Sequence, residues 1–186
     1  MKLMHAFTRS ILEAEAMVQS YCDHRQIAWN IFRPTLIYGL GLDNNVALIA
    51  RFIQRFGFFP LVGRGAGLRQ PVHAADLAET CLVALDRQRT YGQTYYLGGA
   101  DVLTYRAMVE RIYAALGRRP RFLRAPAALL RLGLRGLSKL QRFAYLTPEM
   151  ADRMNQDMVF DINAAGRDFG YQPRTFQPLA SELIYK

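Results

Sequence analysis

Short apolar runs that stop at proline or glycine alternate along this chain with segments of helical spacing, and that alternation excludes most architectures at once. Ala28-Trp-Asn-Ile-Phe-Arg33 is rich in β-branched and aromatic residues, and Pro34 forbids its continuation as a helix. The stretch Thr35 to Asn45 carries the glycines and Asx residues of an irregular loop, after which Val46 to Phe56 resumes helical spacing. Phe59 to His73 gives two short apolar pieces around a Gly/Arg turn, and a helix is predicted from about Ala75 to Asp86. Gln93-Thr-Tyr-Tyr-Leu-Gly98 reads as a strand ended by Gly98 and Gly99, and Thr104 caps a helix running to Gly117. Upstream, Ile11, Leu12, Ala14, Ala16, Met17 and Val18 alternate with Glu13, Glu15, Gln19 and Asp23 and predict a helix over residues 9–24. Strands alternating with helices imply an α/β parallel sheet. From Pro126 onward the pattern is helical or irregular, with Thr147-Pro-Glu149 as a cap and first-turn proline.

Composition narrows the function. With 186 residues, 51% hydrophobic and 21% charged, the chain can bury one good core and is neither disordered, collagenous nor coiled coil. Its longest charge-free stretch, Thr90 to Ala100, falls far short of the ~20 apolar residues of a membrane-spanning helix. Glu13 and Glu15 argue against a targeting peptide, so a cytoplasmic address is expected. Cys22 and Cys81 form no CxxC and are expected as buried free thiols; His5, His24 and His73 share no metal-ligand spacing, so no metal is expected. The net charge of +9 is concentrated, because residues 106–142 hold ten Lys/Arg against the single acid Glu110. Within that region Arg131, Arg135, Lys139 and Arg142 lie on one helical stripe among leucines, so the basic segment 118–142 is a candidate for an anionic membrane surface or another anionic partner. No nucleic-acid recognition motif accompanies the arginines, and nucleic acid is not expected.

Three motifs then fall in a telling order: Arg33-Pro-Thr-Leu-Ile-Tyr-Gly39, Gln70-Pro-Val-His-Ala-Ala-Asp-Leu-Ala78 and Tyr96-Leu-Gly-Gly-Ala-Asp-Val-Leu-Thr-Tyr105. With them, roughly residues 7 to 178, including Asp168-Phe-Gly-Tyr-Gln-Pro-Arg174, resemble the C-terminal half of an extended or atypical short-chain dehydrogenase/reductase of the NAD-dependent epimerase/dehydratase family. The resemblance implies the C-terminal portion of a Rossmann-like doubly wound parallel sheet plus a small, mostly helical substrate domain, with the N-terminal nucleotide-binding half absent. It divides the single partial domain 1–186 into remaining Rossmann-type elements over 1–117, with a substrate-side insert around 57–73, and a substrate-side helical region over 118–186. It also implies NAD or NADP and a nucleotide-linked sugar or related substrate.

A proline-containing loop at the carboxyl end of a parallel strand lies where open α/β sheets bind ligands. The resemblance therefore assigns Arg33, Pro34, Thr35, Ile37 and Tyr38 to the cofactor, and Gly39, Arg69 and His73 to the substrate. For Arg69 the implied role is a phosphate clamp, which suits a planar guanidinium fork. Asp76 is read as a cap for the helix beside it, and His73 more as a packed strand residue than a catalyst.

Two parts of the family's chemistry are missing. No GxGxxG or GxxGxxG occurs to let a backbone approach a pyrophosphate. The family's Tyr-x-x-x-Lys pair falls on Phe7 and Ile11, neither of which transfers a proton, so no catalytic residue is assigned. A truncated and inactive enzyme half is the first expectation. A non-catalytic accessory member, resembling the accessory subunits of respiratory NADH dehydrogenase, is the second. Half a doubly wound sheet leaves an edge and an apolar face exposed, so a homo-oligomer or a covering partner is expected.

Overall fold

The computed structural model describes residues 2–41, 43–126, 128, 132–133, 135 and 149–184. The Thr147-Pro148 cap and nearly all of the basic leucine-rich stripe therefore lie outside the described residues, as do the side chains before Arg9, Phe7 included. Helix α1 spans Lys2–Arg25, a full two turns longer at its start than the apolar pattern predicts. The expected 28–33 strand is β1, Asn30–Pro34, and the loop beyond it holds a further strand, β2, Leu36–Tyr38.

α2 (Val46–Phe56) is anchored at its start by Asp43, whose carboxylate accepts from the backbone N–H groups of Asn45 and Ala47. It ends at Gly57, which takes the left-handed conformation at φ 76° and returns its N–H to the Ile53 carbonyl. There follow β3 (Phe59–Val62), β4 (Leu68–Arg69), β5 (Pro71–His73), α3 (Ala74–Leu85), β6 (Gln93–Leu97), β7 (Leu103–Thr104), α4 (Tyr105–Ala115) and β8 (Phe122–Ala125). Thr104 caps α4 as expected, its hydroxyl accepting from the Ala107 N–H at 3.1 Å. Three short helices close the chain: α5 (Glu149–Arg153), α6 (Asn163–Phe169) and α7 (Ala180–Leu183).

The α/β expectation holds. β1 pairs with β6, β2 with β5 and β3 with β8, all parallel, while the two-residue β4 and β7 run antiparallel. β1 and β2 are one extended run that changes partner at Thr35, whose N–H donates to the Leu97 carbonyl at 2.9 Å and whose hydroxyl donates to the Gln70 carbonyl.

Apolar side chains gather in two clusters. One, under α3 and α6, joins Tyr95, Leu97, Ala84 and Phe169 against Phe32 of β1. The larger one joins α2, α4, β3, α5 and the C-terminal segment around Ile53, Met108, Ile112, Tyr113 and Phe176. Cys81 is exposed and Cys22 half-buried, which corrects the expectation of buried thiols; both are free. Cys81 stands on the outer face of α3, where Leu82 and Leu85 are also exposed.

Candidate functional site

β1 and β6 end together at Pro34 and Leu97, beside the start of β5, and β2 and β5 end together further on at Tyr38 and His73. Close packing there demands small residues. A Cβ on Gly99 would fall 1.8 Å from the Pro71 carbonyl oxygen, and one on Gly98 would overlap the Gln70 side chain. Gln70 is itself buried and fully used: its amide donates to the Gly99 carbonyl at 3.0 Å, and its Oε1 accepts from the Phe160 N–H at 3.2 Å. Gly39 adopts φ 127°, and a side chain there would strike the His73 ring at 2.6 Å.

The predicted cofactor residues divide into two kinds. Arg33 turns to α1, where its Nε lies 3.2 Å from both Glu15 oxygens, and it also donates to the Tyr96 hydroxyl at 3.0 Å. This bond holds the Glu15 carboxyl below its usual range and raises Arg33 further above its own. Thr35 has both its N–H and its hydroxyl engaged. Tyr38 is buried edge-on to the His73 and Phe176 rings, and burial pushes its phenol up to about 12. Pro34 and Ile37, by contrast, are exposed. The run from β1 to β2 therefore leaves the apolar Pro34 and Ile37 exposed while Arg33 and Thr35 brace the scaffold.

The predicted substrate residues are likewise braced. Arg69 is 3% exposed; its Nη1 donates to the carbonyls of Leu68 (2.7 Å) and Gln156 (2.6 Å), and its Nη2 to that of Arg153. Its plane also lies over the Tyr105 ring at 5.2 Å, and burial lowers its pKa. The expected phosphate clamp is thus already committed to the turn after α5, a commitment invisible in the motif because its partners come from over eighty positions downstream.

His73 performs the role sequence reasoning gave to Asp76. Its Nδ1 accepts from the Ala75 N–H at 3.0 Å and caps α3, while Asp76 binds the Arg174 backbone N–H at 3.0 Å and its guanidinium at 2.7 Å. The cap leaves Nε2 as the protonated ring nitrogen. That atom is buried without an aligned hydrogen bond, although Glu182 Oε1 lies 3.3 Å away. The C-terminal segment is further tied down by Asp101, which accepts from Arg111 and from the Phe176 N–H at 3.0 Å. Sequence reasoning missed Asp101, Arg174 and Glu182, whose partners are set only by the fold.

Ile11, at the place of the family lysine, stands on α1 at 44% exposure. Among the described residues no group of three His, Cys, Asp or Glu side chains could hold a metal, and no helix is long and apolar enough to cross a membrane. A separate cavity of about 290 Å³ opens between α3 and the α6 end, lined by Asp76, Glu79, Thr80, Val83, Phe169 and Tyr171.

This arrangement of parallel strand ends, glycine-packed loop and crossover helices defines a dinucleotide-fold protein of the α/β class. The model of the NAD dependent epimerase/dehydratase family matches residues 3–98, and the chain belongs to that family. It is 35% identical over 97 residues to "NADH dehydrogenase [ubiquinone] 1 alpha subcomplex subunit 9, mitochondrial" of Arabidopsis thaliana, covering 52% of this chain and 24% of that protein. It is 30% identical over 153 residues to the 2-alkyl-3-oxoalkanoate reductase of Shewanella oneidensis, covering 75% of this chain and 38% of the other. Its fold matches UDP-glucose 4-epimerase of Thermotoga maritima, solved with UDP-glucose, at a TM-score of 0.65 and 15% identity, over 92% of this chain and 50% of that one. The chain thus spans between a quarter and a half of the length of these relatives.

Proposed function

We propose that this protein forms the carboxyl-end wall of a nicotinamide-dinucleotide crevice in an oxidoreductase of the epimerase, dehydratase or reductase type, acting on a nucleotide-linked sugar or a related carbonyl or alcohol substrate. The observation that carries this reading is the exposed apolar pair Pro34 and Ile37 on the β1–β2 run, where Arg33 is held by Glu15 and Thr35 by Gln70. Such a wall fits the face of a nicotinamide ring; bound there, NAD or NADP would supply or accept a hydride. Gly39 lets the run pass close against the His73 ring, while Arg69 serves the substrate side through the Arg153–Gln156 turn that it anchors.

A second reading is favoured by Phe7 and Ile11. With no phenol or ammonium at those places, the protein would bind the dinucleotide without turning substrate over, as an accessory subunit within a larger assembly. The 35% identity with a NADH dehydrogenase subunit supports this reading.

Titration calorimetry of NADH and NADPH into the protein purified from its own cells, followed by a hydride-transfer assay with nucleotide-sugars and 3-oxo acids, tests both. Binding with turnover supports the enzyme, and binding without turnover supports the accessory role. No binding of either nucleotide overturns both. A Phe7→Tyr, Ile11→Lys double variant adds a gain-of-function arm, since hydride transfer that appears only in it locates the loss of chemistry at this pair.

A further inference from the structure

Two stretches of the sequence are almost free of acids, and the fold joins them. Residues 44–75 carry four arginines and no Asp or Glu; residues 102–148 carry ten Lys/Arg and only Glu110. The remaining residues hold ten Lys/Arg and fourteen Asp/Glu, so the charge is divided between a strongly basic and a mildly acidic part of one chain. The basic stretches meet through the parallel pairing of β3 with β8. The Phe59 N–H donates to the Arg121 carbonyl at 2.8 Å, and Arg118 Nη1 donates to the Ile53 carbonyl at 2.9 Å.

These bonds bring the C-terminal ends of α2 and α4 beside the start of β8. Arg55, Arg118, Arg119 and Arg121 are exposed there, and the side chains of Arg55, Arg119 and Arg121 make no ion pair among the described residues. Two large apolar side chains on these elements are exposed as well, Phe56 at 51% and Leu123 at 56%.

We propose that this face docks on a lipid bilayer surface bearing anionic headgroups. Guanidinium groups meet the phosphates in the headgroup layer, and Phe56 and Leu123 enter the acyl boundary just beneath, the pairing of charge and apolar insertion that interfacial binding needs. Phe56 rests against Phe52, with ring centroids 4.6 Å apart and planes inclined at 43°, so part of its face is already covered against stacking by a nucleic-acid base. The sequence just beyond β8 continues the same mixture with Leu129, Leu130, Arg131 and Leu132. The association is peripheral and does not require the dinucleotide crevice.

The test is co-sedimentation of the full chain with vesicles of phosphatidylcholine alone, and of phosphatidylcholine containing about a quarter phosphatidylglycerol, at low and high salt. Binding is expected only to the anionic vesicles and falls with salt. An Arg55→Gln, Arg119→Gln, Arg121→Gln variant should weaken it about a hundredfold, taking each arginine near the surface at its usual worth. A Leu123→Ser variant, which leaves the charge unchanged and alters only an exposed side chain, should weaken it several-fold. Arg87→Gln with Arg167→Gln, the same kind of change outside the basic stretches, should leave it intact. Equal binding to neutral vesicles, or equal loss in the patch and control variants, overturns the proposal. So does tight, salt-sensitive capture of a single-stranded RNA homopolymer that ignores Leu123→Ser while the vesicles go unbound, which would assign the face to nucleic acid.

Discussion

Replacing Arg69 by alanine should destabilise the protein by about 3–5 kcal/mol. The guanidinium is buried and makes three charge-assisted hydrogen bonds to backbone carbonyls, two of them in the turn that follows α5 and the third at Leu68. Removing one partner of a buried charged network leaves the other side unsatisfied, a loss larger than the net worth of the bonds themselves. The contact of the guanidinium with the Tyr105 ring is lost from the same place. For a chain of this size the midpoint of thermal unfolding should fall by about 10 °C or more. Urea unfolding followed by far-ultraviolet circular dichroism measures the difference directly. Arg69→Lys should recover only part of it, because an ammonium on a flexible stem cannot reproduce the planar fork. A loss below about 1 kcal/mol for the alanine variant would refute the reasoning. If nucleotide-sugar affinity collapsed while stability held, the guanidinium would serve the ligand directly.

Gly39→Ala should cost about 2–4 kcal/mol, since the new Cβ meets the His73 ring at a backbone angle that L residues rarely adopt; a thermal melt within a degree of wild type would contradict the geometry. The Glu15–Arg33 pair should contribute about 1 kcal/mol above pH 4.5, the carboxyl's ordinary value. Because the folded-state value is depressed, that contribution disappears as pH falls through it, so the difference in melting temperature between wild type and Glu15→Gln should vanish under acid. A pH-independent difference would show that the pair does not fasten α1. Tyr38 and Tyr95 are both raised to about 12, chiefly by burial, so they bind their protons more tightly folded than unfolded. Stability should be complete below pH 10 and decline above it, and phenolate absorbance in the native protein should lag that of the unfolded chain; coincident titrations would place both rings in water.

The elements were legible in the sequence wherever local chemistry decides them. Pro34 ended β1, Thr104 capped α4, and the alternation of runs announced the parallel pairing. β2 stayed hidden because three residues between Pro34-Thr35 and Gly39 carry no periodicity of their own; they are strand only because β5 lies alongside. The family motifs gave no hint that Arg33 faces Glu15 or that Arg69 faces the turn after α5. Those partners stand eighteen and more than eighty positions away. The exchange between His73 and Asp76 has a similar cause. Both are plausible caps by composition, and only the distant Arg174 decides which one is free to serve.

The run that changes partner at Thr35 has a consequence for how the chain finds its structure. One half of the run matches residues sixty-three positions away and the other half matches residues thirty-five positions away, so neither ladder closes without a long loop. Yet both ladders share one piece of backbone pinned by a single threonine. A slip of one residue in β1 would drag β2 out of step with β5 and turn Tyr38 away from His73, so an error in either ladder is opposed by both. The bend at Thr35 thus acts as a proofreader of register, and folding should be slow but unusually faithful about where the strand-end loop finally stands.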